Sequence, residues 1–149
     1  MVDAIGILKR QHRELVRLFE RTDRGEDARE LFDQIADALL VHAGIEEKLF
    51  YPATRSARSE DQLREAMEEH LALKRAVADL LEPSDPHFEV KLAALREQVA
   101  NHVALQEREL FPAVARLLSA DELEELGMEM EDLAAGSAAR EPESIAPLS

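Results

Sequence analysis

Two stretches of this chain repeat the same order of side chains that can bind a cation. The first runs from His42 through Glu46 and Glu47 to Pro52, and the second, sixty positions later and without a gap, from His102 through Gln106 and Glu107 to Pro112. Each begins on a histidine, places a carboxylate or amide four residues on, an acid after that, and a proline ten residues from the histidine. On a helix, residues four apart share a face at a distance of about one turn, ~6 Å. An imidazole and its i+4 neighbour so placed can reach one metal ion or two adjacent ones. Two further histidines complete the pattern, His12 lying 30 residues before His42 and His70 lying 32 before His102. The chain therefore reads as one helical hairpin used twice, each with a lone histidine and a His-x-x-x-(Glu/Gln) pair.

The chemistry open to such a set is narrow. Buried imidazoles and carboxylates are costly unless paired, hydrogen-bonded or bound to a cation. The chain has no cysteine, which rules out disulfides, thiolate-ligated zinc and iron–sulfur clusters. Nitrogen and oxygen ligands alone suit iron, manganese or zinc. Four imidazoles together with Glu46 exceed the four ligands of a structural zinc. A two-metal site bridged by a carboxylate fits the inventory better.

The elements that must position these residues follow from periodicity and caps. Asp3 is a good N-cap for a first helix to about Thr22, with the stripe Ile5, Leu8, His12, Leu15, Phe19. A turn containing Gly25 follows. Asp27 followed by Glu30 resembles a capping box for a second helix, with the stripe Leu31, Ile35, Ala38 or Leu39, His42, Glu46, Leu49. Pro52 has no N–H for the Lys48 carbonyl, so this helix should kink or end there. Ser59 opens a third, with the stripe Leu63, Met67, His70, Leu73, Val77, Leu80. After the break at Glu82–Pro86, Asp85 is expected as N-cap and Pro86 as first residue of a fourth helix. That helix carries Phe88, Leu92, Leu95, Val99, His102, Gln106 and Leu110. A box at Ser119 and Glu122 starts a short fifth helix to about Leu133. Gly136 to Ser149 is small and polar, and disorder is expected there. The fold expected is all-α: an antiparallel up-down-up-down four-helix bundle with a short C-terminal fifth helix, residues 1–135, and a disordered tail, 136–149. In such a bundle the four histidines converge on one level of the core.

Composition agrees. Of 149 residues, 46% are apolar and only 4% aromatic, which is helix-former usage in a chain of one-domain size. A net charge of −14 repels phosphate backbones and anionic lipid, so neither nucleic acid nor a membrane is an expected partner. No signal-like or membrane-length apolar run occurs, and a cytoplasmic location is the expectation.

At these residues the sequence resembles the hemerythrin-like HHE cation-binding domains. The match is carried by His12, His42-x-x-x-Glu46, His70 and His102-x-x-x-Gln106, with the flanks Leu49-Phe50-Tyr51-Pro52 and Leu110-Phe111-Pro112, over about Asp3 to Leu118. The flanks and the later Asp121–Gly127 look most like an actinobacterial, mycobacterial-type subgroup. The resemblance implies a non-haem centre of two iron ions with an oxo or hydroxo bridge. It also implies a small oxidant as partner: dioxygen, hydrogen peroxide or nitric oxide. Three departures stand out. The family's second bridging carboxylate is replaced by Gln106, which is neutral. Glu107, at the i+5 spacing some members use, could replace it through a local widening of the helix. So could Tyr51, as a phenolate, although on an ideal α-helix it lies about 140° round from Glu46; the repeat has Phe111 there. The fifth histidine of the family's oxygen carriers is Lys74 here, and His87, beside Pro86, is too far along the bundle to stand in. The candidate metal residues are thus His12, His42, Glu46, His70 and His102, with Gln106, Glu107 and Tyr51 as alternatives for the remaining place. A core with fewer histidines favours reactivity over reversible oxygen storage, and catalase-like peroxide decomposition is the first functional expectation. Oxygen, nitric oxide or iron sensing or storage without turnover is the second, and a metal-free helical interaction protein the third.

Overall fold

The protein's structure, a computed structural model, describes residues 2–82 and 84–145, with side chains as far as Gly136. Five helical rods account for it, and no strand occurs among the described residues. Helix α1 (Ala4–Asp23) starts on the Asp3 carboxylate, which accepts from the Gly6 N–H at 2.9 Å. Gly25, at φ 87°, makes the turn. Helix α2 (Ala28–Ile45) is capped by Asp27 through the Arg29 N–H. It continues into a π-helical turn (Glu46–Phe50) and a last α-turn (Tyr51–Ala53). Helix α3 (Glu60–Leu80) has the Ser59–Gln62 capping box in full. Helix α4 (Phe88–Leu105) likewise passes through a π-helical turn (Gln106–Leu110) into Phe111–Leu117. Helix α5 (Ala120–Ile145) starts on the Ser119–Glu122 box.

Several expectations are corrected. Helix α4 begins at Phe88 and not at Pro86, because Asp85 spends its carboxylate on the His87 N–H and keeps 85–87 a turn. Met67 is 47% exposed; Ala66 takes its place in the stripe of α3, giving Ala66, His70, Leu73, Val77 and Leu80 at 4-3-4-3 spacing. Leu49 is half-buried and Phe50 buried, since the π-turn rotates the face of the rod. Helix α5 continues past Leu133 to Ile145. Of the expected tail 136–149, side chains from 137 and everything after Ile145 lie outside the described residues.

The core has two apolar halves with a polar layer between them. Leu15, Phe19, Ile35, Leu73, Val77, Leu95 and Val99 pack toward the α1–α2 and α3–α4 turns. Ile7, Leu8, Phe50, Phe111, Val114 and Met130 pack at the other end, where α5 lies across α1. That crossing is close: a Cβ on Gly127 would meet the Ala4 backbone nitrogen at 2.9 Å. Between the halves His12, His42, Glu46, His70, His102 and Gln106 are all buried.

Candidate metal centre

The two π-turns set the geometry of this layer. In each, the N–H of the residue before the proline bonds back five residues, Tyr51 to the Glu46 carbonyl and Phe111 to the Gln106 carbonyl. Closing the turn over five residues widens the helix ahead of a proline whose ring would clash with the i−4 carbonyl. It also brings two consecutive side chains onto the same partner. Glu46 and Glu47 grip the two nitrogens of His70: Glu46 Oε1 lies 3.0 Å from Nε2, and Glu47 Oε2 accepts from Nδ1–H at 2.7 Å. Gln106 and Glu107 grip His12 in the same way, with Oε1 3.0 Å from Nε2 and Oε2 accepting from Nδ1–H at 2.7 Å. Each hairpin's i+4 and i+5 residues therefore hold the lone histidine of the other.

The two motif histidines are anchored from outside as well. His42 Nδ1–H donates to Gln11 Oε1 at 2.7 Å and His102 Nδ1–H to Glu69 Oε1. With every Nδ1 engaged outward, all four Nε2 atoms face the interior. Glu46 Oε1 sits among three of them, 3.4 Å from His42, 3.0 Å from His70 and 3.4 Å from His102. Nε2 of His42 and of His102 is buried without a hydrogen-bond partner. Inward lone pairs and a fully buried carboxylate oxygen aimed at one region repel each other unless positive charge sits between them. The donor set therefore fits cations. Two groups of ligand atoms lie within 4.8 Å of one another, His12 with His42 and His102, and Glu46 with His70 and His102.

Charge in the layer follows from these neighbours. Burial alone would raise the Glu46 carboxyl, but His42, His102 and His70 pull it well below the usual range. Burial lowers His42 to about 3. His102 is lowered by burial but raised more strongly by Glu46 and Glu69, to about 9, so in the metal-free protein its proton is the positive charge beside Glu46. Burial also lowers His12, against the pull of Glu107.

Of the three alternatives raised by the sequence, the structure brings two into the layer. Gln106 donates its amide to Glu46 Oε2 and, at 3.0 Å, to the Tyr51 oxygen. The Tyr51 hydroxyl lies 3.3 Å from Glu46 Oε1 and 3.1 Å from His70 Nε2. The 140° objection fails because the intervening turn is π-helical and stacks Tyr51 above Glu46. Burial and the Glu46 charge push the phenol pKa up. Glu107 stands outside, against His12 Nδ1, with its side chain 38% exposed. Lys74 pairs with Glu47 at 2.9 Å, and His87 is exposed at the head of α4. Sequence reasoning missed Gln11, Glu69 and the role of Glu47. The available signal was that the residue before each lone histidine, Gln11 and Glu69, is a hydrogen-bond acceptor.

A cavity of about 220 Å³ between α3 and α4 reaches the layer, with Tyr51 and Gln106 in its lining and Glu69, Leu105 and Arg58 around them. The Arg58 guanidinium lies 4.3 Å over the Tyr51 ring. Between α1 and α2 a wider recess of about 370 Å³ is lined by Gln11, Gln34 and Val41 and by none of the inner residues.

Residues 3–114 match the hemerythrin HHE cation-binding domain. An uncharacterized Mycobacterium tuberculosis protein, Rv2633c, is 30% identical over 136 residues, 87% of this chain and 83% of that protein. A Nostoc sp. protein described as a DNA nickase is 30% identical over 128 residues, 83% of this chain; the match spans only 36% of that longer protein. The crystal structure of an HHE cation-binding domain-containing protein from Mycobacterium kansasii, described as an Rv2633c homolog, superposes with a TM-score of 0.78 at 26% identity, covering 94% of this chain and 92% of that one. Fold, buried histidine–glutamate cluster and sequence match agree: this chain belongs to the hemerythrin HHE cation-binding domain family.

Proposed function

We propose that the chain is a non-haem di-iron protein that decomposes hydrogen peroxide in a catalase-like cycle. The observation that carries this reading is the convergence of three buried Nε2 atoms, those of His42, His70 and His102, on Glu46, two of them without a hydrogen-bond partner, beside a tyrosine hydroxyl. Iron supplies the electron transfers; the residues supply charge, orientation and protons. Glu46, as the inner carboxylate, and His12, His42, His70 and His102 would hold the iron. Gln106 orients Glu46 and Tyr51 through its two amide hydrogens. The Tyr51 hydroxyl can hold a proton at the end of the α3–α4 cavity, where a molecule the size of peroxide would arrive. The apolar halves above and below limit water. The nickase activity named for the Nostoc protein is not carried over, since this chain spans 36% of it and bears a net charge of −14.

Protein purified without chelator should hold close to two irons per chain and release oxygen from added peroxide, with His42→Ala silent. Near-zero iron with helicity unchanged after chelation overturns the reading. Two irons with no oxygen release would leave a binder of dioxygen or nitric oxide and overturn turnover.

A further inference from the structure

The halves of the centre differ at one more pair of positions, outside the inner layer. Gln11 and Glu69 are matched residues, each just before a lone histidine and each bonded to Nδ1 of the motif histidine in its own hairpin. Each motif thus carries one carboxylate and one amide, in opposite places. His42 has Glu46 inside and the Gln11 amide outside; His102 has Gln106 inside and the Glu69 carboxylate outside. Glu47 and Glu107 do the same for His70 and His12 in both halves and so cancel from the comparison.

We propose that Glu69 is a positioning residue that returns to the centre, through the ring of His102, the negative charge that Gln106 does not provide. A carboxylate accepting Nδ1–H draws that proton outward and makes the far nitrogen a stronger ligand, more so than an amide carbonyl does. His102 belongs to both groups of inward ligand atoms, so its strength as a donor bears on the whole centre. This inference rests on the reading that cations occupy the layer.

Calorimetric titration of the metal-free protein with cobalt(II) tests it without any turnover. The natural sequence should take up two ions. Glu69→Gln should weaken one step by roughly 10–100-fold, the range for outer partners of metal ligands. Adding Gln106→Glu to that variant should restore it, because the charge returns by the inner route. Gln11→Glu should tighten binding by a similar factor. Unchanged affinities in Glu69→Gln, or a loss that Gln106→Glu does not rescue, overturn the inference while leaving the metal centre in place. If Glu69→Gln does not fold, Gln11→Glu decides alone, and unaltered binding counts against the proposal. Failure of the natural sequence to bind cobalt(II) overturns the underlying reading too.

Discussion

The two hairpins are built to one plan and finished differently. In both, a π-turn ahead of a proline lets adjacent residues clamp the opposite hairpin's lone histidine, and in both an aromatic ring covers that histidine: Tyr51 against His70 and Phe111 stacked on His12 at 12°. The first hairpin presents a carboxylate and a hydroxyl to the interior, the second an amide and a bare ring. Equivalent backbones thus deliver unlike chemistry. The repeat supplies the frame, and three residue pairs, Glu46/Gln106, Tyr51/Phe111 and Gln11/Glu69, decide what each side can do.

The largest break in this comparison is Glu46→Gln, which gives both halves an inner amide. It removes the one carboxylate buried in the layer among the described residues and leaves protonated His102 without its buried partner, a loss of about 3–5 kcal/mol in the metal-free protein for such a pair. Metal analysis should find the iron gone, a larger loss than the roughly 10–100-fold expected from any outer residue. Retention of two irons in this variant would show that the halves are not distinguished by the carboxylate at all.

The motif histidines should also separate by pH once the metal is removed. His102, raised to about 9 from an ordinary 6.5, contributes stability that is complete below about 6.5 and lost as pH rises through 9. His42, lowered to about 3 from 6.5, works in the opposite sense: its favourable contribution is present above 6.5 and falls away as pH drops toward 3. Thermal melts of chelator-treated protein should lose several degrees between pH 7 and 9, and Glu69→Gln should flatten that limb while leaving the acid limb alone. A basic limb identical in both proteins would mean that Glu69 does not hold the His102 proton.

How far this asymmetry can be read from sequence depends on the kind of residue. Lone and paired histidines announced themselves because each interrupts an apolar stripe at helical spacing, and Asp3, Ser59 and Ser119 fixed three helix starts through their own side chains. The π-turns did not show in the same way. Pro52 and Pro112 signalled a disturbance, but whether a helix kinks, ends or widens there depends on what its side chains meet across the bundle. The position of Tyr51 rests on that outcome, so an ideal-helix projection sent it to the wrong face. Ala66 displaced Met67 for a related reason, since only packing against the neighbouring rods selects between adjacent residues on one helix. Gln11 and Glu69 were hidden by their ordinariness: polar residues beside a histidine on a helix gain meaning only when another helix brings a ring nitrogen to them.

Tyr51→Phe sharpens the comparison by making the first hairpin's aromatic position match the second. The hydroxyl is buried among Glu46, His70 and Gln106, and its loss should cost about 1–2 kcal/mol through contacts left unmade. Iron content should hold, because four imidazoles and Glu46 remain. If Tyr51 ligates as phenolate, a visible phenolate-to-iron band present in the natural protein disappears in the variant; an unaltered spectrum assigns the hydroxyl to proton holding alone.

The smallest effect expected is on access. Of the two cavities described, the one between α3 and α4 reaches inner residues, and Leu105, 44% exposed, lines it. Leu105→Trp should fill part of that space without touching any histidine. Azide binding to the iron-loaded protein, followed by stopped flow, should slow several-fold, with two irons retained and the final absorbance unchanged. The matched change in the other half, Gln34→Trp in the recess between α1 and α2, should do nothing, because that recess ends at Gln11 and not at the inner layer. Equal slowing by both would mean that small molecules reach the centre from either hairpin, and the functional difference between the halves would then lie in the ligands alone.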